Sequence, residues 1–134
     1  MLYALCILFQ AHVIPGSGIA RKQNIPTLNL SLDDVPSDLQ EGIYACRVSF
    51  EQTNKPVNQQ TRFSAVMHYG PRPVHNLPLS CEVHVLDQSV SDPPASVDVM
   101  IVERIRAIQS FEHIDALKSA IQNDIAQARA ILSA

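Results

Sequence analysis

The spacing of apolar side chains changes once along this chain, and that change limits the folds it can adopt. Up to about residue 106, short segments alternate polar and apolar side chains, as half-buried strands do. From about Glu112 the period becomes three to four residues, which predicts one helix of about five turns. Its apolar stripe consists of Ile114, Leu117, Ile121, Ile125, Ala128 and Leu132. Strands and helices do not alternate, so a β-α-β fold is excluded.

One apolar run, which comes first, and five alternating segments predict about six strands. They are Leu2–Phe9, Thr27–Leu32, Gly42–Phe50, Arg62–Tyr69, Ser80–Asp87 and Val97–Arg104. We expect the first to be largely buried, and the prolines after Tyr69 to end the fourth, because proline cannot donate to a ladder. Six antiparallel strands closed into a barrel, with one C-terminal helix, is the predicted fold, and an open sheet packed on the helix is the alternative. A single domain over 1–134 is expected, with the barrel over about 1–106 and the helix over about 112–132.

Charge and composition exclude several classes of protein. Ten Lys and Arg against 13 Asp and Glu give a net charge of −3, without the basic excess typical of nonspecific nucleic-acid binders. The apolar run Leu2–Phe9 is shorter than the roughly 20 residues of a membrane span, and no Lys or Arg precedes it as in a secretory signal. The three cysteines form no C-x-x-C pair and no zinc spacing. We therefore expect a cytoplasmic protein that binds neither membrane nor nucleic acid; the sequence identifies no protein partner and is compatible with a monomer.

A glycine-containing loop carries the first candidate site. Gly16 and Gly18 allow backbone amides to approach an anion, and Arg21 and Lys22 supply two cations that can hold phosphate oxygens. An ordinary surface loop is the alternative interpretation, since motifs this short often arise by accident.

Two strands carry the second candidate site. Thr27 and Asn29 lie two residues apart, so their oxygens share one face and can ligate Mg²⁺ together with nucleotide phosphates. Glu82 lies between the apolar residues Cys81 and Val83 and therefore faces away from the core, where a carboxylate can accept a proton from a substrate hydroxyl. Solvated polar side chains are the alternative for all three.

Taken in order, four segments resemble the riboflavin kinase family, including the kinase module of bacterial bifunctional FAD synthetases. The loop GSGIARKQNIPTLN (16–29) is similar to G-x-G-R-G-R-x-L-G-x-P-T-x-N, and HYGPRPV (68–74) to N-I-G-x-R-P-T. CEVHVLD (81–87) is similar to L-E-x-H-L-L-D. The tail 105–124 is similar to I-R-x-x-x-x-F followed by a helix with L-K-x-x-I-x-x-D. The resemblance covers nearly the whole chain.

This resemblance implies a Greek-key barrel that transfers the γ-phosphate of ATP to the ribityl 5′-hydroxyl of riboflavin, with Mg²⁺ as cofactor. Because 134 residues leave no room for an adenylyltransferase domain, FMN rather than FAD is the expected product, unless the sequence is a fragment of a larger bifunctional protein. The implied roles are Mg²⁺ and phosphate binding by Thr27 and Asn29, general-base catalysis by Glu82, phosphate covering by Gly16, Gly18 and Arg21, and flavin contacts by the segment from Arg106 to Phe111.

Departures from the family pattern keep other functions open. Ile19 replaces an arginine of the loop, and Ala20 and Asn24 replace glycines. On the flavin side, Pro93-Pro94 replaces an aromatic-glycine pair and Ile108 an acidic residue. The alternatives are a catalytically impaired module on the same barrel that binds a flavin, a nucleotide or a protein, and a kinase for a related hydroxylated ligand.

Overall fold

Over the residues that it describes, the computed structural model contains six strands and one α-helix. The strands are β1 (Ile7–Ile14), β2 (Thr27–Leu30), β3 (Gly42–Phe50), β4 (Thr61–Pro71), β5 (Leu79–Val85) and β6 (Ser96–Arg106), and the helix is α1 (Ile114–Ser133). The residues that the structure describes are 7–14, 27–50, 61–71, 79–87 and 93–133. Predictions for other residues, including the loop that follows β1, lie outside these ranges. In the described part of the chain, no helix is long and apolar enough to cross a bilayer.

The sheet closes on itself. All pairings are antiparallel in the order β1-β2-β5-β4-β3-β6, and β6 pairs back with β1. Strands β3, β4 and β5 are consecutive neighbours and β6 returns beside β3, which is the Greek-key order. Closure confirms the predicted barrel over the alternative of an open sheet, and it gives every strand a neighbour on both sides.

Alternation along β3 shows how the barrel is filled. Tyr44, Cys46, Val48 and Phe50 point inward and are each at most 4% exposed. Inward side chains from all the other strands complete this cluster, among them Leu28, Leu30, Ala65, Met67, Val83, Val85, Val99 and Ile101. Burying such side chains stabilises the fold by about 1.5–3 kcal/mol each before entropy is counted.

A second apolar cluster lies between the outside of the barrel and α1. Ala128 and Leu132 of the helix pack there with Ile43 of β3 and Val66 of β4. This confirms the predicted packing stripe over most of its length. The prediction was wrong at Ile114, which is 53% exposed. The helix begins at that residue, and its first buried side chain is Leu117. Leu86, which directly follows β5, is also buried in this cluster.

Strand β1 differs from the prediction. It extends to Ile14 and is half-buried rather than largely buried: Ala11 is fully buried, whereas Leu8 points outward and is 69% exposed. Strand β2 ends at Leu30, because Leu32 opens a 3₁₀ turn.

Strand β4 continues through the residues that were expected to break it. Gly70 and Pro71 pair with Ser80 and Leu79 of β5. On the other side, β3 begins opposite Tyr69. Pro71 therefore lies beyond the start of β3 and has a partner strand on one side only, which is where a sheet tolerates proline.

Candidate functional site

Strands β2 and β5 bring the three predicted oxygen-bearing side chains onto one outer face. Asn29 lies directly opposite Glu82, and Thr27 lies opposite His84. Their neighbours along each strand point into the barrel (Leu28, Leu30, Cys81 and Val83). Side chains directly opposite one another have Cβ atoms about 5 Å apart, so the carboxylate and the hydroxyl–amide pair are within reach of one ligand. All four outer side chains are partly buried.

A row of residues in register connects this face to the predicted flavin side. On β4, His68 lies opposite Glu82 and is only 9% exposed. Beyond it, Ile43 of β3 pairs with His68 on one side and with Arg106 of β6 on the other. The row Asn29–Glu82–His68–Ile43–Arg106 therefore crosses five strands.

His84 contacts the candidate metal-binding hydroxyl. Its Nδ1 lies 2.9 Å from Oγ1 of Thr27, within hydrogen-bond distance. Burial, together with a smaller effect of the neighbouring His68, lowers the pKa of His84 to about 4. At neutral pH the ring is therefore uncharged and adds no positive charge beside Thr27.

Arg106 is held by a carboxylate on the helix. Its Nε and Nη2 each donate a 2.8 Å hydrogen bond to Asp124, whose side chain is 5% exposed. Its Nη1 donates to the backbone oxygen of Ala107 at 3.0 Å, and its Cζ lies 5.9 Å from the centroid of the Phe111 ring. Two nitrogens of Arg106 are thus bound to Asp124 and the third to the Ala107 carbonyl. Direct flavin binding by Arg106 stays a prediction.

The loop residues predicted to bind phosphate lie outside the described residues. They are Gly16, Gly18, Arg21 and Lys22. Their roles stay predictions from the sequence.

Sequence reasoning gave no role to two residues that the structure brings to these sites, Asp124 and His68. A signal for Asp124 was present: it lies three residues after Ile121 and four before Ala128, within the apolar stripe of the helix. An acidic residue there must be buried with a cationic partner. For His68 the signal was alternation, since it follows the inward Met67, but burial of the outer face is a tertiary effect.

The chemistry of the donors fits Mg²⁺. The Thr27 hydroxyl, the Asn29 carbonyl and the Glu82 carboxylate are hard oxygen groups of the kind this ion prefers. Among the described residues, no three His, Cys, Asp or Glu side chains converge as they would in a metal site built by protein alone.

A hydroxyl, an amide and a carboxylate side by side on the wall of a closed barrel make a layout suited to phosphoryl transfer to a small molecule. Comparison with known protein families identifies the family to which the chain belongs. The sequence profile named Flavokinase, riboflavin kinase, matches residues 5–132. The chain belongs to the riboflavin kinase family.

Individual relatives agree. The chain is 29% identical over 148 residues to a riboflavin kinase from Yarrowia lipolytica, a match that covers 89% of this chain and 77% of that one. It is 30% identical over 126 residues to a riboflavin kinase from Homo sapiens, covering 90% of this chain and 77% of the relative.

Two solved structures share the fold. A riboflavin kinase from Trypanosoma brucei aligns with a TM-score of 0.61 and 21% identity, covering 94% of this chain and 79% of that one. A protein described as a macrolide-efflux protein from Streptococcus pneumoniae aligns with a TM-score of 0.74 and 22% identity, covering 92% of this chain but 38% of that one. At these identities the likeness concerns the fold alone.

Proposed function

We propose that this protein is an ATP:riboflavin 5′-phosphotransferase that produces FMN and ADP. Membership of the riboflavin kinase family supports the substrates. The single structural observation that carries the proposal is the register of β2 and β5, which sets the Glu82 carboxylate opposite Asn29 with Thr27 two residues along the strand.

In the proposed reaction Glu82 acts as the general base. Its carboxylate accepts the proton of the ribityl 5′-hydroxyl while the hydroxyl oxygen forms a bond to the γ-phosphorus of ATP. The bond from that phosphorus to the β,γ-bridging oxygen breaks, and ADP leaves with the electron pair. Positioning of the two reactants supplies most of the acceleration in such a step.

Thr27 and Asn29 would hold Mg²⁺ and the phosphates. The ion, when bound, neutralises charge on the phosphate oxygens. The neutral His84 beside Thr27 keeps that hydroxyl hydrogen-bonded without adding a competing cation. Gly16, Gly18, Arg21 and Lys22 are the proposed phosphate-covering residues, and Arg106 and Phe111 the proposed flavin-side residues.

The test is FMN formation from riboflavin and MgATP, followed by chromatography. Glu82→Gln should lower kcat about 10²- to 10⁴-fold, because the amide cannot accept the proton. A matched control is Glu103→Gln, which alters an exposed glutamate of β6 and should leave kcat within about twofold of the unaltered protein, as surface changes generally do.

Two results would contradict the proposal. One is no FMN from the unaltered protein; if calorimetry then showed tight flavin or nucleotide binding, the protein would be a binding module. The other is a wild-type rate in folded Glu82→Gln, which would remove Glu82 from the chemistry.

The cytoplasm is the proposed compartment. Cys46 and Cys81 are buried free thiols, as is usual in a reducing environment.

A further inference from the structure

A groove lies on the outer wall of the barrel, away from β2 and β5. It crosses β1, β6, β3 and β4 and has a volume of about 360 Å³, near the lower end of the range for small-molecule sites. Its outward side chains are those of Leu8, Gln10, Arg47, Ser49, Arg62, Asp98 and Met100. None of these residues belongs to the candidate site on β2 and β5.

The register of the strands brings two arginines and a serine together in this groove. Ser49 of β3 lies directly opposite Arg62 of β4, and Arg47 lies two residues before Ser49 on the same face of β3. Side chains on the diagonal of an antiparallel pair have Cβ atoms about 7 Å apart. Two guanidinium groups on such a diagonal can both contact one small group that also reaches the serine hydroxyl.

The positive charges of the two arginines are not neutralised by carboxylates of the described residues, whose ion pairs lie elsewhere. Arg47 donates from Nη2 to the carbonyl oxygen of Leu132 at 2.7 Å, which fixes its side chain without cancelling its charge. Arg62 is exposed. Because like charges this close repel each other, an anion bound between them is stabilised by both.

Asp98 limits which anion fits the groove. It lies opposite Ser49 on the side of β3 away from Arg62, and opposite Gln10 of β1. Its carboxylate can accept a hydrogen bond from a hydroxyl of the ligand, but it repels a second negative charge. Met100 adds apolar surface beside it for the carbon atoms of a ligand. The groove therefore favours one anionic group joined to a body that carries a hydroxyl.

We propose that this groove binds a small phosphate monoester that carries hydroxyl groups. Arg47, Ser49 and Arg62 bind the phosphate, whose oxygens accept hydrogen bonds from several directions, whereas a carboxylate accepts in one plane. Asp98 accepts a hydrogen bond from a hydroxyl of the same molecule. This inference does not depend on the proposed function, because the groove shares no residue with the candidate site.

The first test uses glycerol 3-phosphate as the probe, with inorganic phosphate and glycerol as comparisons. Each is titrated into isotope-labelled protein, and the shifts of backbone amide signals show where it binds. We expect the glycerol 3-phosphate shifts to centre on the amides of Ser49, Arg62 and Asp98, with weaker binding of inorganic phosphate and none of glycerol. The proposal is overturned if the shifts are confined to β2 and β5, if inorganic phosphate binds as tightly, or if nothing binds up to about 20 mM, which covers millimolar sites.

A pair of matched variants tests the phosphate contacts. Arg62→Gln removes a donor from an exposed position and should fold, which circular dichroism checks. Its Kd for glycerol 3-phosphate should rise about tenfold or more, because hydrogen bonds between charged groups are the strong ones. Lys118→Gln removes one positive charge from an exposed position on α1 and should bind the probe normally. Equal weakening in both variants would reduce the effect to net charge and overturn the site.

The last variant tests the selection by Asp98. The unaltered protein should bind glycerol 3-phosphate more tightly than 3-phosphoglycerate, in which a carboxylate replaces the terminal hydroxymethyl group. In Asp98→Asn the repulsion is absent, so this preference should shrink about threefold or more. An unchanged preference would overturn the role given to Asp98. FMN formation is assayed on the same samples, so that a failure of the kinase and a failure of the groove are seen separately.

Discussion

His84 shows how strongly burial on the outer face of the barrel alters the pKa of a single side chain. An outward-facing strand histidine usually titrates near its ordinary value because water surrounds it. Here burial lowers the pKa to about 4, with a smaller contribution from His68. The residue therefore stays neutral where an exposed histidine would begin to charge.

The stability of the protein should fall on acidification because of His84. Its pKa is lower in the folded state than the 6.5 of the unfolded chain, so the unfolded state binds more protons between these values. The free energy of unfolding should decrease by up to about 3 kcal/mol as the pH falls from 6.5 to 4. Urea unfolding followed by circular dichroism at several pH values measures this.

His84→Asn should flatten that dependence, because an amide does not titrate. The exposed His113 on the approach to α1 provides the control, and His113→Asn should keep the wild-type slope. A His84→Asn protein that loses stability as steeply as the unaltered one would show that another group is responsible.

Among the elements, those with one simple pattern were the easiest to predict. Strand β3 has an unbroken apolar inner face, and the stripe of α1 repeats over five turns, so both were identified close to their final bounds. The predicted ends of strands were wrong where a neighbouring strand determines them. Pro71 can belong to β4 because β3 begins opposite Tyr69 and so does not pair with the proline. The local sequence of β4 does not show where β3 begins.

For the candidate site, the sequence predicted which way the side chains face but not which residues lie opposite one another. Alternation placed Thr27 and Asn29 on one face and Glu82 away from the core, but the sequence alone could not place Asn29 opposite Glu82, because register is a property of the folded pair. The pairing of Arg106 with Asp124 was missed for the same reason: the two residues meet only when α1 packs on the barrel.

The contact between β4 and the segment 107–111 should make Gly70 sensitive to substitution. Its φ of +152° is unfavourable for other residues, and a Cβ there would meet Ile108. Gly70→Ala should lower the free energy of unfolding by about 2–4 kcal/mol from strain and clash together.

A double-mutant cycle separates these two causes. In an Ile108→Ala background the clash is gone, so Gly70→Ala should cost only the backbone strain, about 1–2 kcal/mol. Strictly additive effects in chemical denaturation would mean that Gly70 and Ile108 are not coupled through this contact.

At the scale of the whole molecule, one sheet separates two apolar clusters. Inward side chains of β3 fill the barrel, while Ile43 and Ala45 of the same strand pack under α1. Because every strand is paired on both sides and β3 is buried on both faces, local opening of one strand would disturb both clusters. The barrel and helix should therefore unfold together.

Buried thiols on two strands can test this cooperativity. Cys46 of β3 and Cys81 of β5 are separated by β4, and each is at most 1% exposed. Burial raises the pKa of Cys81 to about 12 and that of Cys46 further still, so neither is a reactive thiolate in the folded state.

In a Cys6→Ser variant, a thiol reagent should label neither residue without denaturant. With increasing urea, both should become reactive at one midpoint, equal to that from circular dichroism. If mass spectrometry finds Cys81 labelled well before Cys46, the wall of the barrel that bears Glu82 opens on its own, and the molecule is not a single cooperative unit.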